Sequence, residues 1–149
     1  MKSMNKNNQC VSSLNEILAN TYAIYLKTQN FHWNIEGPHF YALHKLFEEQ
    51  YEELAEAVDT IAERIRSLGH KAPASFNAYQ QLSNIQEGNI HAKTQEMLQT
   101  LANDHLSLCE QLKKAHALAD EVSDIGTASL IEDRIRAHDK AHWMLISSL

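Results

Sequence analysis

The sequence is poor in residues that interrupt helices: it has only four glycines and two prolines in 149 residues. A sheet protein, which must turn about every ten residues, usually needs more of both. No run approaches the roughly 18 consecutive apolar residues of a membrane-spanning helix, and the amino terminus lacks the apolar segment of a secretory signal. We therefore expect an all-α protein in the cytoplasm, without a membrane segment.

Basic residues are also scarce, since 13 lysines and arginines face 19 aspartates and glutamates and leave a formal charge of −6. A folded body that grips nucleic acid usually has a basic surface, so cations are better candidates for bound ligands than polyphosphates. The two cysteines, Cys10 and Cys109, match no metal-binding or redox spacing. We expect two free thiols.

Apolar periodicity and turn residues predict a flexible tail over residues 1–11 and one domain over 12–149. A capping box at 13–16 opens a helix A that must stop before Gly37-Pro38, and Pro38 opens a long helix B that ends at Gly69. Three further helices are predicted: a short one around 75–82, helix C over about 91–120 and helix D over about 124–147. The long connection between B and C implies that these helices are parallel, as in an up-down-down-up four-helix bundle of the ferritin kind.

Helix B carries a run of acidic residues, most of which fit a solvated face. Asp59 and Glu63 differ, because they lie four apart on one face and flank the apolar stripe of the helix. Such a pair could bind a divalent cation if imidazoles completed the ligand set.

Two histidines are placed to provide those imidazoles. His32 and His44 each lie six residues from Pro38, so an A–B hairpin would bring them to a similar height, roughly 9 Å from the turn. Asp59, however, follows His44 by fifteen residues on the same helix, or ~22 Å. Because metal–ligand bonds are about 2.0–2.3 Å long, the two pairs are either unrelated or meet between subunits. A two-fold contact of antiparallel B helices, with its axis near residue 52, would bring them together twice per dimer.

The usual interior di-iron site of such bundles needs two Glu-x-x-His motifs on helices. The sequence has one, Glu36 to His39, and it straddles the predicted turn, which disfavours an interior site. His138 and His142 lie four apart on helix D, where Asp139 and nearby arginines favour a polar face over an accessory cation site. His105 on helix C has no partner pattern.

The segment NFHWNIEGPHFYALHKLFEEQYEELAEAVDTIAERIRSLG (30–69) and the motif KAHWML (140–145) resemble the Dps family of mini-ferritins, the DNA-binding proteins from starved cells. The resemblance extends over nearly the whole chain after residue 11. It implies a bacterial cytoplasmic protein, in some cases nucleoid-associated, that forms a dodecameric shell. It further implies a ferroxidase that oxidises Fe(II), preferentially with hydrogen peroxide, and stores ferric mineral inside the shell, thereby protecting DNA from oxidative damage.

By position, the resemblance assigns His32 and His44 of one subunit, with Asp59 and Glu63 of its neighbour, as iron ligands. Trp33 is similar to a family tryptophan viewed as a sink for stray oxidising equivalents. Glu48 is a candidate ligand for a second metal ion, which would give a two-iron site, and zinc is an ion that could substitute for iron.

The resemblance also implies acid-lined entry pores for iron, with Asp124 as the main candidate, followed by Asp120, Glu121 and Glu132. DNA binding in the family generally uses lysine-rich tails, whereas this chain has only Lys2 and Lys6 before helix A. Direct binding of DNA is therefore weakly supported. The alternative function is a shell of the same fold that coats DNA or binds another partner, with little ferroxidase activity.

Overall fold

The computed structural model describes residues 5–149, and these residues form five helices and no strand. The helices are α1 (Lys6–Asn34), α2 (Phe40–Ser67), α3 (Phe76–Leu82), α4 (Thr94–Glu121) and α5 (Ile125–Ile146). The four long helices correspond to A, B, C and D, and α3 is the short helix in the long connection. The all-α prediction is confirmed for the described residues, among which no helix is long and apolar enough to cross a membrane.

Helix α1 begins at Lys6, about two turns before the capping box that was predicted to open it. The side chain of Asn5 caps it by accepting a hydrogen bond from the backbone N–H of Asn8 at 2.9 Å. Cys10 and Val11 continue its apolar face and are only 4% and 7% exposed. Because burying that face stabilises the added helix, residues 6–11 are helical, which corrects the predicted tail; residues 1–4 lie outside the described part of the chain.

Pairs of polar contacts establish the direction of each helix. Asn20 bonds Gln111 and Lys27 bonds Asp104, so α1 and α4 are antiparallel. On the other side, Gln50 reaches the backbone of Ala141 while Arg64 reaches Thr127, so α2 and α5 are antiparallel as well. Since α1 and α2 form a hairpin, α2 and α4 are parallel. The bundle is therefore up-down-down-up, and one long connection has to cross it.

Polar residues of α1 hold that connection against the bundle. Asn20 accepts from the hydroxyl of Ser83 and the N–H of Asn84, and Lys27 donates to the carbonyl of Gln86. Asn30 donates to the carbonyl of Gly88, whose backbone runs so close to α1 that an added Cβ would lie 3.0 Å from Asn30 Nδ2. A larger residue there would require side chains of α1 to shift.

Large side chains of the four long helices fill the core. Each fully buried aliphatic or aromatic residue contributes on the order of 1.5–3 kcal/mol relative to exposure. The largest completely buried members include Phe31, Phe47, Ile61 and Leu101. This rigid core determines the relative positions of the helices, and hence those of the polar side chains described next.

Candidate metal centre

A short turn between α1 and α2 brings two histidines together. Gly37 in this turn has φ of +121°, a conformation that side-chain-bearing residues rarely adopt. His32 lies in the last turn of α1 and His44 in the second turn of α2. Their rings stack with centroids 3.8 Å apart and planes inclined by 13°. The predicted convergence of the two histidines is confirmed.

Reciprocal hydrogen bonds hold the two imidazoles in place. His32 Nδ1 donates to the carbonyl of His44, and His44 Nδ1 donates to the carbonyl of His32, both at 2.7 Å. Since a carbonyl only accepts, each Nδ1 carries the proton, and a neutral ring then keeps its lone pair on Nε2. Both Nε2 atoms are therefore prepared to bind a metal ion without a change of tautomer.

Aromatic rings surround the pair. Phe40 stacks on His44 with ring centroids 4.9 Å apart, and Tyr51 lies 5.2 Å from His32. His32 is buried and His44 is half-buried. These contacts restrict the rotation of both imidazoles.

Glu48 lies one turn after His44 and is the nearest acidic candidate. Its carboxylate accepts from Lys45 Nζ at 2.9 Å. This hydrogen bond is the main reason why the pKa of Glu48 lies below its usual range; the charge of Lys45 and the nearby His32 and His44 act in the same direction, while desolvation opposes the shift. A metal ion binding to Glu48 would meet the positive charge of Lys45, which bonds one of the two carboxylate oxygens.

The predicted acidic ligands, Asp59 and Glu63, lie elsewhere on the subunit. Both are exposed on α2, and the distance from His44 along the helix to Asp59 is ~22 Å. Within residues 5–149, no group of three or more histidine, cysteine, aspartate or glutamate side chains is arranged to hold a metal ion. The histidines are thus paired within one chain, while the assignment of all four residues to one site remains a prediction.

Trp33 follows His32 but faces another part of the molecule. It is 64% exposed and lines a groove between α1 and α3, together with Tyr22, Phe76 and Tyr79. His32, by contrast, faces α2. The indole is therefore beside the histidine pair along the chain and on a different face of α1.

A second histidine pair, inside the bundle, was not predicted. His105 on α4 and His138 on α5 are 1% and 0% exposed, and their Nδ1 atoms are 2.8 Å apart. Arg134 approaches His138 Nε2 at 3.0 Å and binds Glu53 of α2 through both terminal nitrogens, at 2.5 and 2.9 Å. The expectation of a polar surface on α5 is wrong for His138 and Arg134, and His105 does have a partner. His142 is half-buried, and its ring bonds the carbonyl of Ala102.

The hydrogen bonds determine the tautomers of the interior pair. Arg134 can only donate, so His138 Nε2 accepts and His138 Nδ1 carries the proton. His138 Nδ1 then donates to His105 Nδ1, which leaves the proton of His105 on Nε2, a buried atom without a hydrogen-bond partner in the described structure. Burial, and next the charge of Arg134, lower the pKa of His105 to about 3; burial and neighbouring His105 and Arg134 lower that of His138 as well.

The hydrogen-bonded residues His105, His138, Arg134 and Glu53, which we call the interior chain, form a poor iron site. Glu53 already neutralises the positive charge of Arg134. The lone pair of His105 Nδ1 accepts from His138, and the lone pair of His138 Nε2 accepts from Arg134. Binding a cation there would place it beside a buried guanidinium. The structure of these residues therefore agrees with the sequence-based argument against an interior di-iron site.

The acids proposed for an entry pore all have partners within the subunit. Asp124 caps α5 by accepting from the N–H of Thr127 and also binds Arg64 at 2.6 Å. Glu121 pairs with Lys6, and His116 contacts both Asp120 and Glu132. Asp124 is the least free of the four to line a pore, whose location remains a prediction.

Cys10 and Cys109 are free thiols, as expected.

Comparisons with known proteins support the fold of the chain and show its family. Residues 11–149 match the model of the ferritin-like domain. The DNA protection during starvation protein of Brevibacillus brevis is 38% identical over 132 residues, which are 89% of each chain. A crystal structure of a Dps protein from Bacillus brevis superposes with a TM-score of 0.93, at 34% identity and 97% coverage of both chains.

A Dps protein from Vibrio cholerae O1 is described as a member of a broad superfamily of ferritin-like diiron-carboxylate proteins. Its structure has a TM-score of 0.91 and 34% identity, and the match covers 95% of this chain and 89% of that one. The predicted ferritin-like four-helix bundle is thereby confirmed. With these similarities in sequence and in structure, the chain belongs to the Dps family of ferritin-like proteins.

Proposed function

We propose that this protein is a ferroxidase of the cytoplasm that stores iron and protects DNA from oxidative damage. In the proposal, Fe(II) is oxidised preferentially by hydrogen peroxide at sites between subunits, and the ferric product is kept within a dodecameric shell. The observation that carries the proposal is the reciprocal locking of His32 and His44, which presents two Nε2 lone pairs in stacked rings at the mouth of the α1–α2 turn.

Two imidazoles alone are an incomplete ligand set for iron, because carboxylates are needed to stabilise the ferric product. Asp59 and Glu63 are exposed, lie four apart on α2 and are available to a second subunit. A two-fold contact that places α2 against its antiparallel mate supplies this carboxylate pair to each histidine pair. Each subunit of the pair then contributes half of the ligands at each of two identical sites.

The proposed chemistry follows from this ligand set. Two Fe(II) ions give two electrons to one hydrogen peroxide molecule, which takes two protons from solvent and becomes two water molecules, without release of hydroxyl radical. The histidines hold Fe(II) through neutral nitrogens, while the carboxylates favour Fe(III) and accept protons during its transfer to mineral. Trp33 and Glu48 are auxiliary in this scheme, as a sink for stray oxidising equivalents and as a ligand of a second iron.

One experiment tests both the activity and the sharing of ligands. Anaerobic Fe(II) oxidation by peroxide is followed by ferric absorbance in particles of wild type, His32→Ala/His44→Ala or Asp59→Ala/Glu63→Ala subunits. We expect wild type to consume two Fe(II) per peroxide and each double variant to lose at least about tenfold in rate. Asp133→Ala is the control, because Asp133 is exposed and its ion-pair partner within residues 5–149 is neighbouring Arg136.

Particles that contain both double variants discriminate between the possible sites. A mixed dimer has one site with all four ligands and one with none, so co-assembly should restore activity. No recovery in particles shown to be mixed would contradict the shared site. Equally slow oxidation in wild type and variants would instead favour the alternative, a shell that coats DNA or another partner. Binding of DNA through the described amino-terminal segment would compete with an ion pair, because its basic residue, Lys6, is paired with Glu121.

A further inference from the structure

Four of the five tyrosines form a continuous series of ring contacts that starts at the histidine pair. Tyr51 lies 5.2 Å from His32, and Tyr25 lies 6.0 Å from Tyr51. Tyr22 follows at 5.6 Å from Tyr25, and Tyr79 of α3 lies 5.0 Å from Tyr22, all measured between ring centroids. The series thus leads from α2 across α1 to the short helix in the connection.

Aromatic residues at such distances often serve packing alone, since each pair contributes about 0.5–1.5 kcal/mol beyond burial. These four rings differ from the packed core in being half-buried, whereas Phe31 and Phe47 are fully buried. Two of the four hydroxyls also have polar partners: Gln29 donates to the Tyr25 oxygen, and Tyr79 donates to the carbonyl of Pro73. A phenol, unlike phenylalanine, can lose one electron and its hydroxyl proton reversibly.

The far end of the series opens on the groove that contains Trp33. Tyr22 and Tyr79 line this groove of about 560 Å³ together with Trp33, which is 64% exposed. An oxidised ring at this end is accessible to small reductants in solution. The other end contacts a histidine that we place at the iron site, so the two ends have different chemical surroundings.

We propose that Tyr51, Tyr25, Tyr22 and Tyr79 form a relay that carries single oxidising equivalents from the iron site to the groove. The relay rests on the proposed function, because it operates when peroxide meets one Fe(II) instead of two. That reaction gives Fe(III), hydroxide and a hydroxyl radical. The radical takes a hydrogen atom from the Tyr51 hydroxyl and becomes water, leaving a tyrosyl radical.

Each later step restores one phenol and oxidises the next. The electron passes between neighbouring rings, and the phenolic protons exchange with solvent, which reaches these half-buried side chains. At Tyr79, a thiol reductant in solution returns one hydrogen atom and is itself oxidised to a thiyl radical, which combines with a second one to give a disulfide. The protein is thereby restored while the iron ligands escape oxidation.

The relay is tested by interrupting it in the middle with Tyr25→Phe, which keeps the ring and removes the hydroxyl. The matched control is Tyr41→Phe, because Tyr41 is 72% exposed on α2 and lies outside the series. Assembled particles loaded with one Fe(II) per site receive peroxide in the presence of a nitrone spin trap. Ferric absorbance records iron oxidation, and peptide mass spectrometry locates the radical adducts.

We expect adducts at Tyr79 to fall several-fold in Tyr25→Phe and those at Tyr51 to rise, with no change in the rate of iron oxidation. Tyr41→Phe should give the wild-type distribution. Equal labelling of Tyr79 in wild type and Tyr25→Phe, with normal iron oxidation, would overturn the relay and leave the proposed function intact.

A second experiment without iron tests the relay separately from the proposed function. It is informative even if the wild-type protein does not oxidise Fe(II), a result that would refute the proposed function. A ruthenium polypyridyl photo-oxidant is attached to the thiol introduced by Phe40→Cys, next to His44; the native cysteines are buried. After a flash with an electron acceptor, Tyr79 adducts should form and should fall several-fold when Tyr25→Phe is added. Adducts that are absent, or equal in both proteins, contradict the relay.

Discussion

The two histidine pairs have the same side chains in opposite settings. His32 and His44 bond backbone carbonyls through Nδ1, which leaves both Nε2 lone pairs free at the edge of the subunit. His105 and His138 bond each other through Nδ1 inside the bundle, where Arg134 occupies the remaining lone pair of His138. The chemistry of an imidazole is thus decided by what its other nitrogen contacts. One pair is prepared for a cation, and the other is a neutral link in a structural chain.

The largest expected difference between the pairs is in iron oxidation. His44→Gln should reduce the rate of Fe(II) oxidation at least about tenfold, because it removes one of the two nitrogen ligands that we propose for iron. His105→Gln should leave that rate unchanged, since the interior pair does not contact the proposed site. Stopped-flow ferric absorbance on assembled particles measures both. A comparable loss in His105→Gln, with the shell intact, would mean that the interior pair takes part in the reaction.

The sequence predicted the first pair and missed the second, although the same symmetry was available for both. His32 and His44 are equidistant from Pro38, whose position marked the hairpin clearly. His105 and His138 are nearly equidistant from the turn between α4 and α5, but no proline or glycine stands in 121–124 to mark its centre. The predicted ends of helices C and D locate this turn only approximately, because helix ends are uncertain by about two to four residues. That uncertainty is too large to infer a contact between single side chains.

The burial of charged residues was the other feature that the sequence did not predict. Arg134 and His138 lie among Asp133, Arg136 and Asp139, so the local composition indicates a solvated surface. Arg134 is nevertheless only 7% exposed. Its partner Glu53 faces it across the bundle and lies 81 positions away in the sequence. Periodicity detects apolar faces well, as the four long helices demonstrate. Buried polar pairs depend on partners that are distant in sequence.

Removing the carboxylate of Glu53 from the interior chain should lower stability more than removing a carboxylate from the surface. Glu53→Gln leaves the buried charge of Arg134 without a counter-ion, and we expect about 2–3 kcal/mol lower stability, somewhat less than for a fully buried pair because the Glu53 side chain is 46% exposed. Glu52→Gln, an exposed neighbour, should change stability by less than about 0.5 kcal/mol. Urea unfolding at fixed protein concentration measures the difference, and equal effects would show that Arg134 needs no partner.

The smallest expected effect concerns the acid stability of the interior pair. The pKa of His105 is about 3 in the folded protein, well below the usual value, so acidification protonates the unfolded chain first. Stability attributable to His105 is therefore present above pH 6.5 and is lost as the pH falls from 6.5 towards 3. Between pH 7 and 5.5, His105→Gln should lose about 1 kcal/mol less than wild type does. His91→Gln, at an exposed position, should lose as much as wild type. If His105→Gln lost as much as wild type too, His105 would have to be accessible to protons in the native state. That result would contradict the tautomer chain that separates the interior pair from the locked pair at the turn.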